Sequence, residues 1–148
     1  MSLKVQLDET MKDAMRAKDS LRLNAIRMIR TAVKNREIDE RRELDDQEVI
    51  GVLSTLAKQR KESAQAYRDG DRPELAEKEE QELAILQQFL PAQLSEAELR
   101  ALIEAAVTEA GATSMKEMGK VMKIVTSQTL GRADGRLVSE MVKARLGA

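Results

Sequence analysis

Apolar residues recur every three or four positions through most of this chain, which is the spacing of one face of an α-helix. The first helix is predicted over residues 3–18, with an apolar face formed by Leu3, Leu7, Met11, Ala14 and Met15. Asp19 and Ser20 supply a cap, and a second helix is predicted over about 20–40. Its apolar side is formed by Ile26, Ile29 and Val33. The charged run that follows, residues 39–43, is typical of a solvated turn.

Two further helix starts are marked by residues that satisfy free backbone groups. Asp45 and Glu48 have the spacing of a capping box, in which each side chain accepts the backbone N–H of the other residue, and they predict a third helix to about Tyr67. Pro73 suits a first helical turn, where its missing N–H needs no partner, so a fourth helix is predicted from there. Its apolar residues are Leu75, Leu83, Leu86 and Leu90.

Pro91 is expected to end this first group of helices. Proline lacks the N–H that continues a helix, and it pushes the preceding residue out of helical geometry. Directly after it, Ser95 and Glu98 form a complete capping box, and Gly111 suits the left-handed end of the helix that they begin. The sequence therefore predicts a boundary at Pro91.

Two more helices complete the second part. Ser114 and Glu117 form another capping box, which predicts a helix that ends near Gly131, and a last helix follows Asp134 and Gly135. The apolar residues of these two helices are Met118, Val121, Met122, Val125, Leu137, Val138, Met141, Val142 and Leu146. We therefore predict an all-α fold with an N-terminal unit of four long helices and a small C-terminal domain of three helices. The expected bounds are residues 1–90 and 91–148.

The composition limits the chemistry that the chain can perform. Its 148 residues include no Cys and no His, which excludes disulfides, thiolate sites and a histidine base or metal ligand. We therefore expect no catalytic residue, no cofactor and no metal. The absence of Cys, of an apolar leader and of long apolar runs predicts a cytoplasmic protein that makes no membrane contact.

Two weak patterns have ordinary structural explanations. Ser114 and Lys116, like Ser54 and Lys58, place a hydroxyl near an amine, but a helix cap explains the first pair and a helix surface the second. The Glu-rich stretch 74–82 offers oxygen atoms to a divalent cation, yet acidic residues near a helix N-terminus are also favoured by the helix dipole. A solvated acidic face is the simpler interpretation.

Positive charge is concentrated in two stretches although the net charge is only -1. Residues 16–42 contain nine basic and four acidic residues, which predicts a basic ridge on the second helix. In the C-terminal part, Lys116, Lys120 and Lys123 fall within about 60° of one another on a helical wheel. Such stripes are typical either of solvated faces or of phosphate-binding surfaces. The residues predicted to contact nucleic acid are Arg27, Arg30, Lys34, Lys116, Lys120, Lys123, Arg132 and Arg136.

Several segments also match a family pattern. Residues 89–99 have the sequence Phe-Leu-Pro-Ala-Gln-Leu-Ser-Glu-Ala-Glu-Leu, and residues 118–122 have the sequence Met-Gly-Lys-Val-Met. Residues 23–28, 58–63 and 133–135 agree in order. Together these segments resemble the YqeY-like proteins, the stand-alone members of the GatB/YqeY family, over nearly the whole chain.

The resemblance implies a two-part helical fold whose second half is similar to the tail of the B subunit of the aspartyl/glutamyl-tRNA amidotransferase. In that enzyme the tail helps to hold tRNA. Carbon-nitrogen ligase activity with glutamine as amido donor is implied only as a family label, because nothing here matches the body of the B subunit or the glutaminase subunit. The chain is therefore expected to be a tRNA-binding accessory protein rather than an enzyme by itself.

An alternative function is that of a protein adaptor. The chain would then dock on an aminoacyl-tRNA synthetase or an amidotransferase through its Met-rich helices or residues 58–67. Near-absence of aromatic residues, with only Tyr67 and Phe89, means that any RNA contact should be to backbone and shape rather than to stacked bases. Gly119, which matches the tail pattern together with Lys120, could equally permit a close helix approach or a kink.

Overall fold

The computed structural model describes residues 2–147, and the prediction of an all-α fold is confirmed. The helices are α1 (Leu3–Arg16), α2 (Ser20–Glu40), α3 (Asp46–Asp69), α4 (Pro73–Gln87), α5 (Glu96–Ala110), α6 (Met118–Thr129) and α7 (Gly135–Gly147). The chain divides into two compact units, unit 1 up to Pro91 and unit 2 from Ala92 onwards. Helices α1 to α4 contact one another in unit 1, and α5 to α7 do so in unit 2.

The helices of unit 1 begin where the capping residues predicted. The Asp19 carboxylate accepts the N–H of Arg22 at 3.1 Å, which caps α2. At the start of α3, Asp45 accepts the N–H of Glu48 at 2.8 Å, and Glu48 accepts the N–H of Asp45 at 3.2 Å. Pro73 is the first residue of α4. Side-chain caps therefore set the starts of α2 and α3, and Pro73 marks the start of α4.

The core of unit 1 is aliphatic. Its largest fully buried side chains are Leu7, Ile26, Ile29, Leu53, Val49 and Leu86. Two residues that the spacing placed on apolar faces are exposed instead, Met15 at 51% and Leu75 at 39%, and in unit 2 Leu137 is exposed at 44%. The grouping of Met15 with the buried face of α1 was therefore wrong, while Leu75 and Leu137 are apolar helix residues that are exposed. Each residue lies in the first or last turn of its helix, where it lacks the neighbours three and four positions away on one side.

Arginines of α3 pair with the Glu-rich stretch of α4. Arg60 Nη1 lies 3.0 Å from Glu79 Oε2, and Arg60 Nε lies 3.4 Å from Glu82 Oε2. Arg68 Nε lies 2.7 Å from Glu80 Oε1. The stretch is therefore not simply a solvated acidic face, because three of its carboxylates tie α4 to α3.

An arginine in the charged turn between α2 and α3 donates a hydrogen bond to the carboxylate of Glu48. Arg41 has a left-handed backbone conformation with φ of 57°, and the Arg42 guanidinium then reaches Glu48, with Nη1 2.8 Å from Oε1. This hydrogen bond from Arg42, together with the N–H of Asp45, lowers the pKa of Glu48 to about 2. The ionised form of Glu48 is thus stabilised by folding.

The substitution Glu48→Gln is expected to destabilise the protein at neutral pH and to lose this effect in acid. The ordinary pKa of the carboxyl is 4.5 and the folded value is about 2, so its contribution is complete above the first value and disappears as the pH falls towards the second. Urea unfolding near pH 7 and near pH 3 measures the difference. Glu43→Gln is the control, since Glu43 forms no side-chain ion pair within residues 2–147. A Glu48→Gln effect that stays constant over this pH range would contradict the prediction.

Unit 2 is built on the predicted capping box and helix stop. The Ser95 hydroxyl accepts the N–H of Glu98 at 3.1 Å, and Gly111 ends α5 in the left-handed region with φ of 62°. A cluster of buried side chains forms the core of unit 2. It consists of Leu99, Ile103, Ala106, Val107, Val121, Val125, Val138, Val142 and Leu146.

The second capping box of unit 2 opens a tighter turn than predicted. Ser114 and Glu117 form the box, but the residues after Ser114 adopt a 3-10 turn, Met115–Glu117, and α6 begins only at Met118. The Glu117 N–H donates to the Ser114 carbonyl oxygen at 3.2 Å, which is the three-residue spacing of that turn. Lys116 therefore precedes α6.

The segment 89–99, called here the proline signature, is hydrogen-bonded to the loop before α7 at the start of unit 2. The Leu94 N–H donates to the Arg132 carbonyl at 2.8 Å, and the Gln93 side-chain amide donates to the Gly131 carbonyl at 2.8 Å. Arg132 Nε in turn donates to the Ala92 carbonyl at 3.3 Å. These residues of the signature accordingly have a structural role.

Candidate nucleic-acid interface

Three lysines in α6 and in the turn directly before it form the first candidate site, called here the lysine segment: Lys116, Lys120 and Lys123. All three side chains are exposed. Lys120 and Lys123 are three positions apart on α6, so they share a helix face, and Val121 and Val125 on the buried side hold that helix to the core of unit 2. Lys116 lies in the 3-10 turn, so the α-helical wheel that grouped it with the other two does not apply to it.

The lysine segment lacks counter-charges at ion-pair distance. Within residues 2–147, none of its three ammonium groups lies within 4.0 Å of a carboxylate oxygen. Glu117 interacts with the charge of Lys120, and its carboxylate accepts the N–H groups of Thr113 at 2.6 Å and Ser114 at 3.0 Å. These two bonds, and to a smaller extent the charge of Lys120, lower the pKa of Glu117. Because Glu117 is engaged by the backbone, the lysines stay available to an external anion.

Gly119 lies within the lysine segment and has no packing role. A Cβ at this position would meet no atom within 4 Å, so no neighbouring helix approaches the glycine closely. The explanation of Gly119 by close helix approach is therefore wrong. The missing side chain instead leaves the backbone beside Lys120 open to solvent.

The two arginines predicted alongside the lysines are engaged elsewhere in unit 2. Arg132 bonds to the Ala92 carbonyl, as described above, and is only partly exposed. Arg136 Nε lies 3.5 Å from Glu140 Oε1 one helical turn later on α7. Both side chains of that pair face solvent, so the pair contributes little energy but cancels the local charge. The lysine segment is thus the clearer source of free positive charge in unit 2.

The predicted basic residues of unit 1 lie along an open groove between α1 and α2. The groove has a volume of about 620 Å³, and Arg27, Arg30 and Lys34 all line it. Arg30 Nε lies 3.0 Å from Asp8 Oδ1, so its charge is compensated. Arg27 and Lys34 form no ion pair within the described part of the chain.

The contribution of α1 to this groove was missed by the sequence reasoning. Asp8 neutralises Arg30, and Lys4 pairs with Glu37, which also accepts the Leu44 N–H at 2.8 Å. These bonds, that of Lys4 first, lower the pKa of Glu37. No sequence signal identifies such partners, because they belong to different helices and the wheel of one helix does not show what faces it.

Residues 2–147 contain neither a cluster of metal ligands nor a helix able to span a membrane. No three His, Cys, Asp or Glu side chains there are placed to hold a metal ion. None of the helices in that range combines the length and the apolar content that crossing a bilayer requires.

Several fungal proteins are similar to this chain, and each is named altered inheritance of mitochondria protein 41, mitochondrial. The one from Vanderwaltozyma polyspora is 41% identical over 85 residues, covering 57% of this chain and 46% of the relative. The one from Lachancea thermotolerans is 38% identical over 107 residues, covering 70% and 57%. The chain therefore spans about half the length of these two relatives. A protein of Pyrenophora tritici-repentis is 29% identical over 147 residues, covering 97% and 80%.

These names contradict the expected cytoplasmic location, and that prediction was wrong. It rested on the absence of Cys and of an apolar leader. Neither feature separates the cytosol from mitochondria, because mitochondrial import sequences are amphipathic and rich in Arg and Ser rather than apolar. The relatives are named mitochondrial proteins.

The family resemblance seen in the sequence extends to a match over most of the chain. The family described as Yqey-like protein matches residues 4–146. The match includes all seven helices almost completely, in both units. The chain therefore belongs to the Yqey-like protein family.

Proposed function

We propose that this protein binds tRNA as an accessory protein and that the lysine segment of unit 2 contacts the phosphate backbone. The observation that carries the proposal is the absence of ion-pair partners for Lys116, Lys120 and Lys123 among residues 2–147, on a surface where all three are exposed. An uncompensated cation releases bound counterions from RNA when it meets a phosphate, which is the main source of affinity for a polyanion.

The geometry of α6 supports contact with backbone rather than with bases. No side chain covers the main chain at Gly119, next to Lys120, so a sugar-phosphate strand can approach the backbone closely at that position. Neither of the two aromatic residues of the chain, Tyr67 and Phe89, lies in unit 2, which removes stacking as a means of reading sequence there. Resemblance of unit 2 to the amidotransferase tail, which helps to hold tRNA, agrees with this mode of binding.

The double substitution K120E/K123E is expected to weaken binding of unmodified tRNA by about tenfold or more, because two phosphate contacts become repulsive. Electrophoretic mobility shift at several salt concentrations measures both the affinity and its salt dependence. Each phosphate contact contributes roughly 0.7 to 0.9 to the slope of log affinity against log salt, so the slope should fall by about 1.5.

A matched control is available on α3 of unit 1. Lys58 and Lys61 are exposed there, and K58E/K61E changes the net charge by the same amount. This control is expected to bind tRNA nearly as well as the unaltered protein. Equal loss in the two variants, or no loss in K120E/K123E, would contradict the proposed surface.

The alternative function is that of a protein adaptor. Capture of partners on the purified chain, with nuclease treatment, distinguishes it from RNA binding. An aminoacyl-tRNA synthetase or amidotransferase subunit that is retained by the purified chain after nuclease treatment would favour the adaptor. A partner lost on nuclease treatment would be held through RNA, as we propose.

A further inference from the structure

The groove between α1 and α2 in unit 1 has the size of a ligand site. Its volume of about 620 Å³ lies within the range of roughly 300 to 1,000 Å³ that small-molecule sites occupy. Lys4, Leu7 and Asp8 of α1 form one side, and residues of α2 from Arg27 to Glu37 form the other. The groove is thus built entirely within unit 1.

The charges in the groove are unevenly compensated. Lys4 pairs with Glu37 and Arg30 pairs with Asp8, so both acidic side chains that line the groove are occupied. Arg27 and Lys34 are exposed and form no ion pair in the described chain. Lys34 contributes to lowering the pKa of Glu37, but Glu37 is already bonded to Lys4 and Leu44. The groove therefore carries two uncompensated positive charges.

Neutral donors lie between and beside these two cations. Thr31 and Asn35 also line the groove, and their side chains form no hydrogen bond in the part of the chain that the structure describes. Arg27 and Lys34 are seven residues apart on α2, so their Cα atoms are separated by about 10 Å along the helix axis. That spacing suits a ligand with more than one anionic group better than a single ion.

An amphipathic peptide helix fits the groove poorly. Such a helix binds by placing apolar side chains in apolar pockets. The apolar residues of the groove, Leu7 and Val33, are only 2% and 5% exposed and already belong to the core of unit 1. What the groove offers to a ligand is consequently charge and hydrogen-bond donors.

We propose that this groove binds a ligand carrying two or more phosphate groups, with Arg27 and Lys34 as the charged contacts and Thr31 and Asn35 as neutral donors. An Arg guanidinium offers paired donors to phosphate oxygens, and Lys supplies a second point charge. The phosphates can belong to a free oligophosphate, such as a nucleoside triphosphate, or to an RNA strand. The proposal holds whether or not the lysine segment binds tRNA.

The test uses the isotope-labelled full chain and follows the backbone amide signals of Thr31 and Asn35. In the first arm tripolyphosphate is titrated, and we expect these signals to shift. The variant R27Q/K34Q should bind about tenfold more weakly or worse, since two charge-assisted hydrogen bonds are lost. The variant K61Q/R72Q, which removes one Lys and one Arg from exposed positions outside the groove, should bind like the unaltered protein.

The second arm identifies the source of the phosphates. A short RNA oligonucleotide is added to K120E/K123E, so that the lysine segment cannot provide the binding site. Shifts at Thr31 and Asn35 with RNA alone would assign the groove to an RNA strand, and shifts with tripolyphosphate would assign it to a free oligophosphate. The proposal would be overturned if neither probe binds, or if the binding does not depend on Arg27 and Lys34. Equal binding of a glutamate peptide would also overturn the proposal, because the groove would then show no preference for phosphate over carboxylate.

Discussion

Replacing Arg60 by methionine is expected to lower the free energy of unfolding by about 3 kcal/mol, because it leaves two mostly buried carboxylates without a counter-charge. Arg60 is 22% exposed, and its partners Glu79 and Glu82 are 16% and 17% exposed. The Arg60 Nη2 group also contacts Met28 Sδ of α2 at 2.6 Å, so this side chain joins three helices of unit 1. Methionine keeps the apolar contact and removes the charge.

Urea unfolding of the full chain measures this cost, and α3 provides a matched control. Arg68 pairs with Glu80 between the same two helices, but these side chains are 45% and 42% exposed. Arg68→Met is therefore expected to cost less than about 1 kcal/mol. The triple variant R60M/E79Q/E82Q should recover most of the stability lost in R60M, since the uncompensated charges are then gone. A cost in R60M no greater than that in R68M would show that burial does not strengthen the Arg60 cluster.

The ion pairs of Arg60 with Glu79 and Glu82 are an example of contacts that the sequence does not predict. The starts of α2, α3 and α5 could be predicted because a helix cap is a local pattern, in which a side chain bonds a backbone group three residues away. The start of α4 could be predicted because proline suits a first helical turn. Arg60 and Glu79 are 19 positions apart on different helices. A helical wheel shows which residues share a face of one helix, but it does not show which helix lies opposite that face.

The same limit affected the candidate sites. Eight basic residues were predicted to contact nucleic acid, but Arg30 is paired with Asp8 and Arg136 with Glu140. Arg132 bonds to the Ala92 carbonyl, a contact that depends on how the chain enters unit 2. Of these eight residues, those of the lysine segment and the groove residues Arg27 and Lys34 form no ion pair in the described chain.

The proline signature has a different role from that of the lysine segment. Gln93 and Leu94 bond to the loop around Arg132, so the signature holds unit 2 together at its entry. By contrast, no neighbouring atom requires a glycine at position 119, and Lys120 forms no ion pair in the described chain. A residue with no internal role at an exposed position is a better candidate for an external contact than one that closes the fold.

The substitution Leu99→Ala is expected to unfold unit 2 in the full chain while unit 1 keeps its structure. Leu99 is 1% exposed and lies in the buried cluster of unit 2. Truncating a buried leucine to alanine costs about 2 to 5 kcal/mol, and a core of this size rarely supplies more than roughly 3 to 5 kcal/mol. The loss is therefore comparable with the whole stability of the unit.

Amide hydrogen exchange measured residue by residue tests this expectation, because protection should disappear from α5, α6 and α7 and persist in α2 and α3. Leu102→Ala is the matched control, since Leu102 is on the same helix but outside the buried cluster, and it should leave unit 2 protected. Under the proposed function, the Leu99→Ala protein is also expected to lose tRNA binding, because α6 then no longer holds Lys120 and Lys123 on one face. Protection that stays uniform in Leu99→Ala, or that disappears from both units at once, would contradict independent folding of the two units.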